Sequence, residues 1–259
     1  MIYKYDLHIH SGLSPCASKE MTPFKIVAEA REKGLDIISL TDHNSIYNVK
    51  NVMIHAKKAG ILVVPGVEVS SSEDIHILCY FETYKKLEEF YLQIDYLDKK
   101  NYPIIHGRQY IYDENDNVVG EEERHLYAQA KLSENGVYNL AKKYGGIAVP
   151  AHIDRKRTSM RFILGDIPSY YPTIEISRDS EIEEYPEYAN KHNILRSSDA
   201  HVLRLIGMMN GQIELETLDV ASIIKKISEY KKWLKCPINH FWYWTNFMGQ
   251  DVRVAIFLL

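Results

Sequence analysis

The sequence predicts an α/β fold of repeated strand–helix steps, closed or nearly closed into a parallel barrel. Three observations predict it. Short apolar runs rich in β-branched residues alternate with longer amphipathic segments along most of the chain. Six or seven such steps fit into 259 residues, a length suited to one large α/β barrel. Residues with metal-binding chemistry recur where the strand-like runs end, and that is the rim on which barrel sites are built.

Residues 2–10 read as the first strand, in which side chains alternate faces, so Asp6, His8 and His10 share one side. Thr22 can cap a helix that Pro23 begins and Gly34 stops. Residues 36–41 form a buried-type strand that runs into Asp42-His43-Asn44, and a helix over 46–59 stops at Gly60. A third strand region covers 61–69, a fourth 74–81, and a charged helix 84–99. The rhythm breaks between 102 and 131. There residues 109–112 and 117–120 flank Asp113-Glu114-Asn115-Asp116, which reads as an inserted hairpin or helical segment. The rhythm then resumes with a helix over 133–144 and strands over 147–152, 173–176, 193–201 and 211–215. An acidic helix near 181–190 and a last helix over 220–233 complete it. Residues 1–236 are expected as one barrel domain with an insertion at about 102–131. Residues 237–259 are expected as an aromatic tail that packs on the barrel or contacts a partner or a second copy of the chain.

Hydrophobic residues at 46% and charged residues at 25% are ordinary for a globular protein. A net charge of −4 gives no reason to expect a stable duplex nucleic-acid complex, so phosphate compounds would need local positive charge or bound metal. Cys16, Cys79 and Cys236 have no CxxC spacing, which favours a reducing compartment. No basic leader followed by an apolar run opens the chain, and no run approaches the roughly 18 apolar residues of a membrane span. The cytoplasm is the expected location.

The chemistry sits at strand ends: His8 and His10, then His43, Glu68, His76, His152, and finally Asp199 with His201. The first and last pairs are spaced i, i+2 and so lie on one face. Eight such groups exceed the four or five ligands one zinc ion takes and suit a cluster of two or three divalent ions, with Glu68 able to bridge two. His55, His106, His125, His192 and His240 lack this placement and read as structural or surface residues. Asp6 and Asp42 read as supports behind the ligands. Arg155 and Arg157 follow His152 closely, where a loop would overhang the site, and could fork onto phosphate oxygens; Arg178 is a further candidate.

The ordered set Asp6-Leu7-His8-Ile9-His10-Ser11, Thr41-Asp42-His43-Asn44, Pro65-Gly66-Val67-Glu68, Pro150-Ala151-His152 and Ser198-Asp199-Ala200-His201 resembles the PHP family. This is the polymerase and histidinol phosphatase superfamily of metal-dependent phosphoesterases. Leu13-Ser14-Pro15-Cys16 with Met21-Thr22-Pro23 resembles its stand-alone bacterial branch. The resemblance implies a distorted (βα)7 TIM-like barrel with up to three Mn, Zn, Fe or Mg ions. It implies His8, His10, His43, Glu68, His76, His152, Asp199 and His201 as ligands. The family usually has one more acid or His soon after the first motif, often in Ser-Asp-Gly. This chain has Ser14-Pro15-Cys16 there, and Glu20 is the nearest acid that could substitute.

The expected function is hydrolysis of a phosphomonoester by a metal-activated water, with Glu68, Asp199 and His201 as catalytic residues. The expected substrate is a small phosphorylated molecule or nucleotide, either a 3′,5′-bisphosphate nucleotide or an RNA 5′ end. A histidinol-phosphate-type phosphatase is the alternative within that chemistry. A non-catalytic metal-binding regulatory module is the alternative outside it. Amidohydrolases also open with His-x-His, but their last ligand is typically a lone Asp.

Overall fold

The structure is a computed structural model that describes residues 1–230 and the segments 242–247 and 250–255. Strand β1 (Ile2–Ile9) is exposed at its start and fully buried from Tyr5 onward. Helix α1 (Pro23–Glu32) begins as expected: the Lys25 amide donates to Thr22 Oγ1, Pro23 takes the first position, and Ile26, Val27 and Ala30 face inward. Strand β2 (Ile37–Leu40) lies parallel to β1, and helix α2 (Val49–Ala59) ends at Gly60 in the left-handed region that glycine adopts freely.

The expected third strand is two strands. Strand β3 (Leu62–Val63) pairs parallel with β2, and strand β4 (Gly66–Ser70) pairs antiparallel with β5 (His76–Tyr80). Pro65, which has no N–H to give a ladder, stands between them. Helix α3 (Tyr84–Tyr91) is half as long as the charge pattern suggests. The insertion then supplies a short helix α4 (Pro103–His106) and the expected hairpin of β6 (Tyr110–Tyr112) and β7 (Val118–Glu121). It is tied down: the Tyr110 amide donates to the Gly12 carbonyl, Asn48 exchanges hydrogen bonds with Tyr110 and Tyr112, and the Tyr112 hydroxyl donates to the Lys19 carbonyl.

Helix α5 (Glu134–Lys143), capped by Ser133, leads into β8 (Ile147–Pro150), which pairs antiparallel with β5. Helix α6 (Met160–Leu164) precedes β9 (Thr173–Ile176). The expected acidic helix is one 3-10 turn at Ile182–Glu184 followed by α7 (Pro186–Lys191), because Pro186 restarts the helix. Strand β10 (Asn193–Arg196) is parallel to β9, and β11 (Gly211–Glu214) is antiparallel to β1. Helix α8 (Val220–Ser228) is capped by Asp219. In the tail, β12 (Trp242–Phe247) pairs antiparallel with β13 (Gln250–Ala255). The domain boundary expected at 236 and the role expected for the 237–259 tail fall largely outside the described residues.

Among the described residues there is no closed parallel barrel. The ladders form separate sheets, and antiparallel pairs at β1–β11, β4–β5 and β5–β8 replace the expected all-parallel order. Short strands cause this: within residues 1–230 each ladder covers two to five residues before the chain turns away. Single contacts join the sheets where the strands end. These are the His43–Glu68 bridge, the Ile9–Ala200 bridge, and the Ile153 amide on the Glu175 carbonyl. Below them, Leu7, Ile37, Leu78, Tyr80, Val149, Leu195 and Ile213 meet Ile223 and Ile227 of α8 in one buried cluster. None of the described helices is long and apolar enough to cross a membrane.

A Cβ at Gly146 would stand 2.3 Å from the Phe81 ring and 2.7 Å from the Tyr80 carbonyl oxygen, and that carbonyl is backbone. Gly146→Ala is therefore expected to cost about 1–3 kcal/mol, read as a lower midpoint in urea unfolding.

Candidate metal centre

Glu68 sits in the middle of β4, where both oxygens meet imidazoles. Its Oε2 is 2.8 Å from His43 Nδ1; its Oε1 is 2.9 Å from His76 Nδ1 and 3.2 Å from His152 Nε2. The end of β1 brings His8 Nε2 and His10 Nε2 to 3.0 Å from each other. Both face Asp199 Oδ1, at 3.2 and 3.1 Å, and Glu68, at 3.6 and 3.5 Å. The His201 ring stacks on His10 with centroids 4.3 Å apart. The eight strand-end residues thus meet in one buried cluster, and His201 is its most open member, with 24% of its side chain exposed. The backbone leaves β geometry sharply at two cluster residues, His152 and Asp199, and at Asn44 beside His43, all with positive φ. Such backbone is sparsely populated by non-glycine residues and gathers at functional sites.

A layer behind the cluster decides which nitrogen of each ring is free. His8 Nδ1 donates to the buried Glu175 carboxylate at 3.0 Å, and Glu175 also accepts the His152 amide. His10 Nδ1 donates to Ser14 Oγ at 2.9 Å, and Ser14 in turn donates to Asp42 Oδ1. Asp42 also accepts the Ser11 amide and hydroxyl. His201 Nδ1 donates to the Asp199 carbonyl at 2.9 Å. With Nδ1 protonated in all three rings, the Nε2 lone pairs of His8, His10 and His201 are left for a cation. Asp6 accepts the amides of Ser198 and Gly207 and so braces the turn that carries Asp199.

These residues fit divalent metal. Two Nε2 lone pairs facing each other at 3.0 Å repel unless a cation lies between or beside them. His43 Nδ1, His76 Nδ1 and Glu68 Oε2 are buried without an aligned hydrogen bond, although 2.8–2.9 Å separates these nitrogens from Glu68 oxygens. Groups that converge without bonding one another are what a missing common partner leaves behind. Three overlapping groups have ligand atoms within 4.8 Å of one another: His10/His43/His201, His8/His10/Glu68 and His43/Glu68/His76.

The electrostatics agree. Burial alone would raise the Glu68 carboxyl, but His76, His43 and His8 bring it well below the usual carboxylate range. Burial would likewise raise Asp199, and His8, His10 and His201 lower it further than that. Burial pushes His43 down to about 4 against the pull of Glu68. Burial also disfavours a charged His8, but Glu175, Asp199 and Glu68 outweigh it and draw positive charge to that spot. A divalent cation supplies the same charge without protonating a ligand.

Not every expected residue reaches the cluster. Glu20 does not: it is exposed, its carboxylate is taken by Lys25, and it belongs to none of the converging groups. Nearness in sequence misleads here, because the 12–22 loop turns Glu20 outward while Ser14 reaches back to His10. Arg155 does reach it, with Nη1 2.6 Å from Asp199 Oδ2. Arg178 is turned to the backbone, donating to the carbonyls of Ser198 and Asp199. Arg157 is exposed. Sequence reading missed Glu175. Its signal was an acid between Ile174 and Ile176 in a strand with no polar face. Glu175→Gln is expected to keep the fold and lose about 10- to 100-fold in affinity for Mn²⁺ or Zn²⁺ by calorimetric titration.

Known proteins resemble this chain in sequence and in fold. A 5′-3′ exoribonuclease of Haemophilus influenzae is 27% identical over 203 residues, covering 72% of this chain and 70% of that protein. The solved endonuclease Q of Pyrococcus furiosus shares the fold with a TM-score of 0.64 at 22% identity, covering 88% of this chain; the chain spans 56% of that protein. A Bifidobacterium adolescentis protein, provisionally named a metal-dependent phosphoesterase, aligns with a TM-score of 0.54 at 16% identity over 86% of this chain and 94% of its own. The PHP domain model matches residues 6–236. That match takes in each of the eight converging residues, and the chain therefore belongs to the PHP domain family, whose members are metal-dependent hydrolases, nucleases and phosphoesterases.

Proposed function

We propose that this protein is a metal-dependent phosphoesterase that hydrolyses phosphomonoesters of nucleotides, either a 3′,5′-bisphosphate nucleotide or a phosphorylated RNA 5′ end. The observation that carries this reading is the buried cluster itself, six imidazoles and two carboxylates with an arginine at its edge. His8, His10, His43, Glu68, His76, His152, Asp199 and His201 would hold two or three divalent ions (Mn, Zn, Fe or Mg). When bound, such ions supply Lewis-acid activation of water and neutralise charge on the phosphoryl oxygens.

The chain's own residues do the rest. Arg155 anchors one nitrogen on Asp199 and keeps 34% of its side chain exposed, so its other N–H groups are free for a pair of phosphate oxygens. Arg178 positions the Asp199 turn instead of binding substrate. His201 faces outward and has two roles that exclude each other at any instant: an Nε2 lone pair given to a metal cannot also carry a proton to the leaving oxygen. Glu175 and the Ser14–Asp42 pair fix the His8 and His10 rings.

The Haemophilus influenzae exoribonuclease supports a nucleic-acid 5′ end over histidinol phosphate; an exoribonuclease breaks a phosphodiester, so its support goes to the nucleotide substrate and not to the monoester bond. The family match over 6–236 supports a single domain over 1–236, and the short helix and hairpin that interrupt the strand–helix order support an insertion at 102–131. A distorted (βα)7 barrel is supported by the order of ladders and bridges, which runs β1, β2, β4, β5, β8, β9, β10 and back to β1.

The test is a turnover assay in Mn²⁺ comparing a nucleoside 3′,5′-bisphosphate, a short 5′-phosphorylated RNA and histidinol phosphate. Turnover of one of the first two is expected. Turnover of histidinol phosphate alone would favour the small-molecule phosphatase, and bound metal with no turnover would favour a regulatory module. Arg155→Ala is expected to lower kcat/KM by about 10- to 100-fold through loss of a charge-assisted contact. Folded Glu68→Ala, checked by circular dichroism, is expected to lose turnover; full activity in it would end the reading.

A further inference from the structure

The insertion reaches the metal centre through Tyr127, whose ring packs on that of His43. Beginning at His43, a chain of ring contacts leaves the metal centre along it: His43 to Tyr127 at 4.9 Å, Tyr127 to His125 at 5.7 Å, His125 to His106 at 4.0 Å, and His106 to Tyr102 at 5.9 Å. Rings packed only for stability would be buried. Here Tyr127, beside the metal centre, is 37% exposed, and Tyr102, at the far end, is 56% exposed.

The support under these rings is rigid. Asn44, the residue after His43, is fully buried, and its Nδ2 donates to the carbonyls of both Leu126 and Ala128, the residues flanking Tyr127. Buried Gln109 donates to the carbonyls of Glu122 and Arg124 and accepts the Leu126 amide. Arg124 donates to the Asn44 carbonyl. Two buried amides and a guanidinium are therefore committed to fixing one exposed tyrosine relative to one ligand-bearing loop. A platform fixed before binding loses little entropy when a flat partner settles on it.

We propose that this aromatic track, from Tyr127 to Tyr102, is a second binding site for nucleotides beyond the reacting one, on which the bases of a single-stranded nucleic acid stack. The inference rests on the nucleotide reading of the metal centre and narrows it to substrates with an unpaired stretch next to the reacting phosphate. Stacking is tolerant of sequence, because every base has a π-face. A duplex hides those faces between neighbouring pairs. Charge along the track is mixed. Lys99 and Lys100 are exposed beside it, but Arg108 is paired with Glu121, and the Arg124 guanidinium is held on the Asn44 carbonyl and over the Tyr96 ring. Stacking therefore carries the binding, and the salt dependence is shallow compared with that of a basic nucleic-acid groove.

The test uses the full chain and a fluorescent 5′-phosphorylated RNA hexamer, with fluorescence anisotropy measured in EDTA so that no turnover occurs. Tyr102→Ala and Tyr127→Ala are each expected to weaken binding by about 5- to 100-fold, the size of one lost base stack. Tyr102→Phe and Tyr127→Phe are expected to keep it. An unlabelled duplex of the same sequence is expected to compete poorly. Unchanged affinity in the alanine variants, or equal competition by duplex, would overturn the track. In Mn²⁺, KM is expected to fall from the 5′-phosphorylated dinucleotide to the hexamer. Turnover with no dependence on length would overturn the track and leave the phosphoesterase standing. Absence of turnover on any phosphoester would overturn the phosphoesterase, and the anisotropy result would still decide the track.

Discussion

The structure depends on one unbalanced arrangement: two carboxylates and six imidazoles crowded into a largely buried pocket without enough hydrogen bonds among them. Burying a charged or polar group without a partner costs several kcal/mol, and more for an ion. Glu68 and Asp199 stay ionised because imidazoles surround them, yet several of those ring nitrogens have no aligned bond to give. A protein that wanted only stability would fill this space with apolar side chains. The supporting residues around the pocket make sense only as devices that keep lone pairs pointed at a shared centre.

That requirement explains the fold's irregularity. The converging side chains come from the ends of β1, β2, β5 and β8, from the middle of β4 and from the segment after β10, and the sheets separate where these elements converge. The chain leaves extended geometry at Asn44, His152 and Asp199, turning side chains inward that a regular strand would alternate away. What continuous pairing would have supplied is replaced by single bridges and by side-chain clamps such as Asp6 on Ser198 and Gly207. Burial raises Asp6 to about 6, while the Ser198 and Gly207 hydrogen bonds oppose that rise.

The converging residues were legible in the sequence because much of their signal is periodic. His8 with His10 and Asp199 with His201 follow the two-residue repeat of a strand, His43 and His152 close apolar runs, and Glu68 and His76 lie in strands of their own. The pairing of the strands was not legible. A short apolar strand such as 76–80 carries no mark of direction; the antiparallel β4–β5 pair follows from the tight connection over 71–75 and the break at Pro65, and β8 joins it only after the intervening residues 81–146. Glu20 was a false lead because a loop, unlike a strand, gives no fixed relation between sequence distance and direction. Glu175 was passed over because one acid between two isoleucines has no period. His106 and His125 were set aside as structural, since nothing in the sequence shows that the insertion folds back onto the residue after His43.

The central claim is that the pocket holds more than one divalent ion. It is tested most directly by elemental analysis of the metal bound per chain, after saturation with Mn²⁺ or Zn²⁺ and removal of free ion. The account predicts two or three ions per chain. One ion or none, in folded protein, would contradict it.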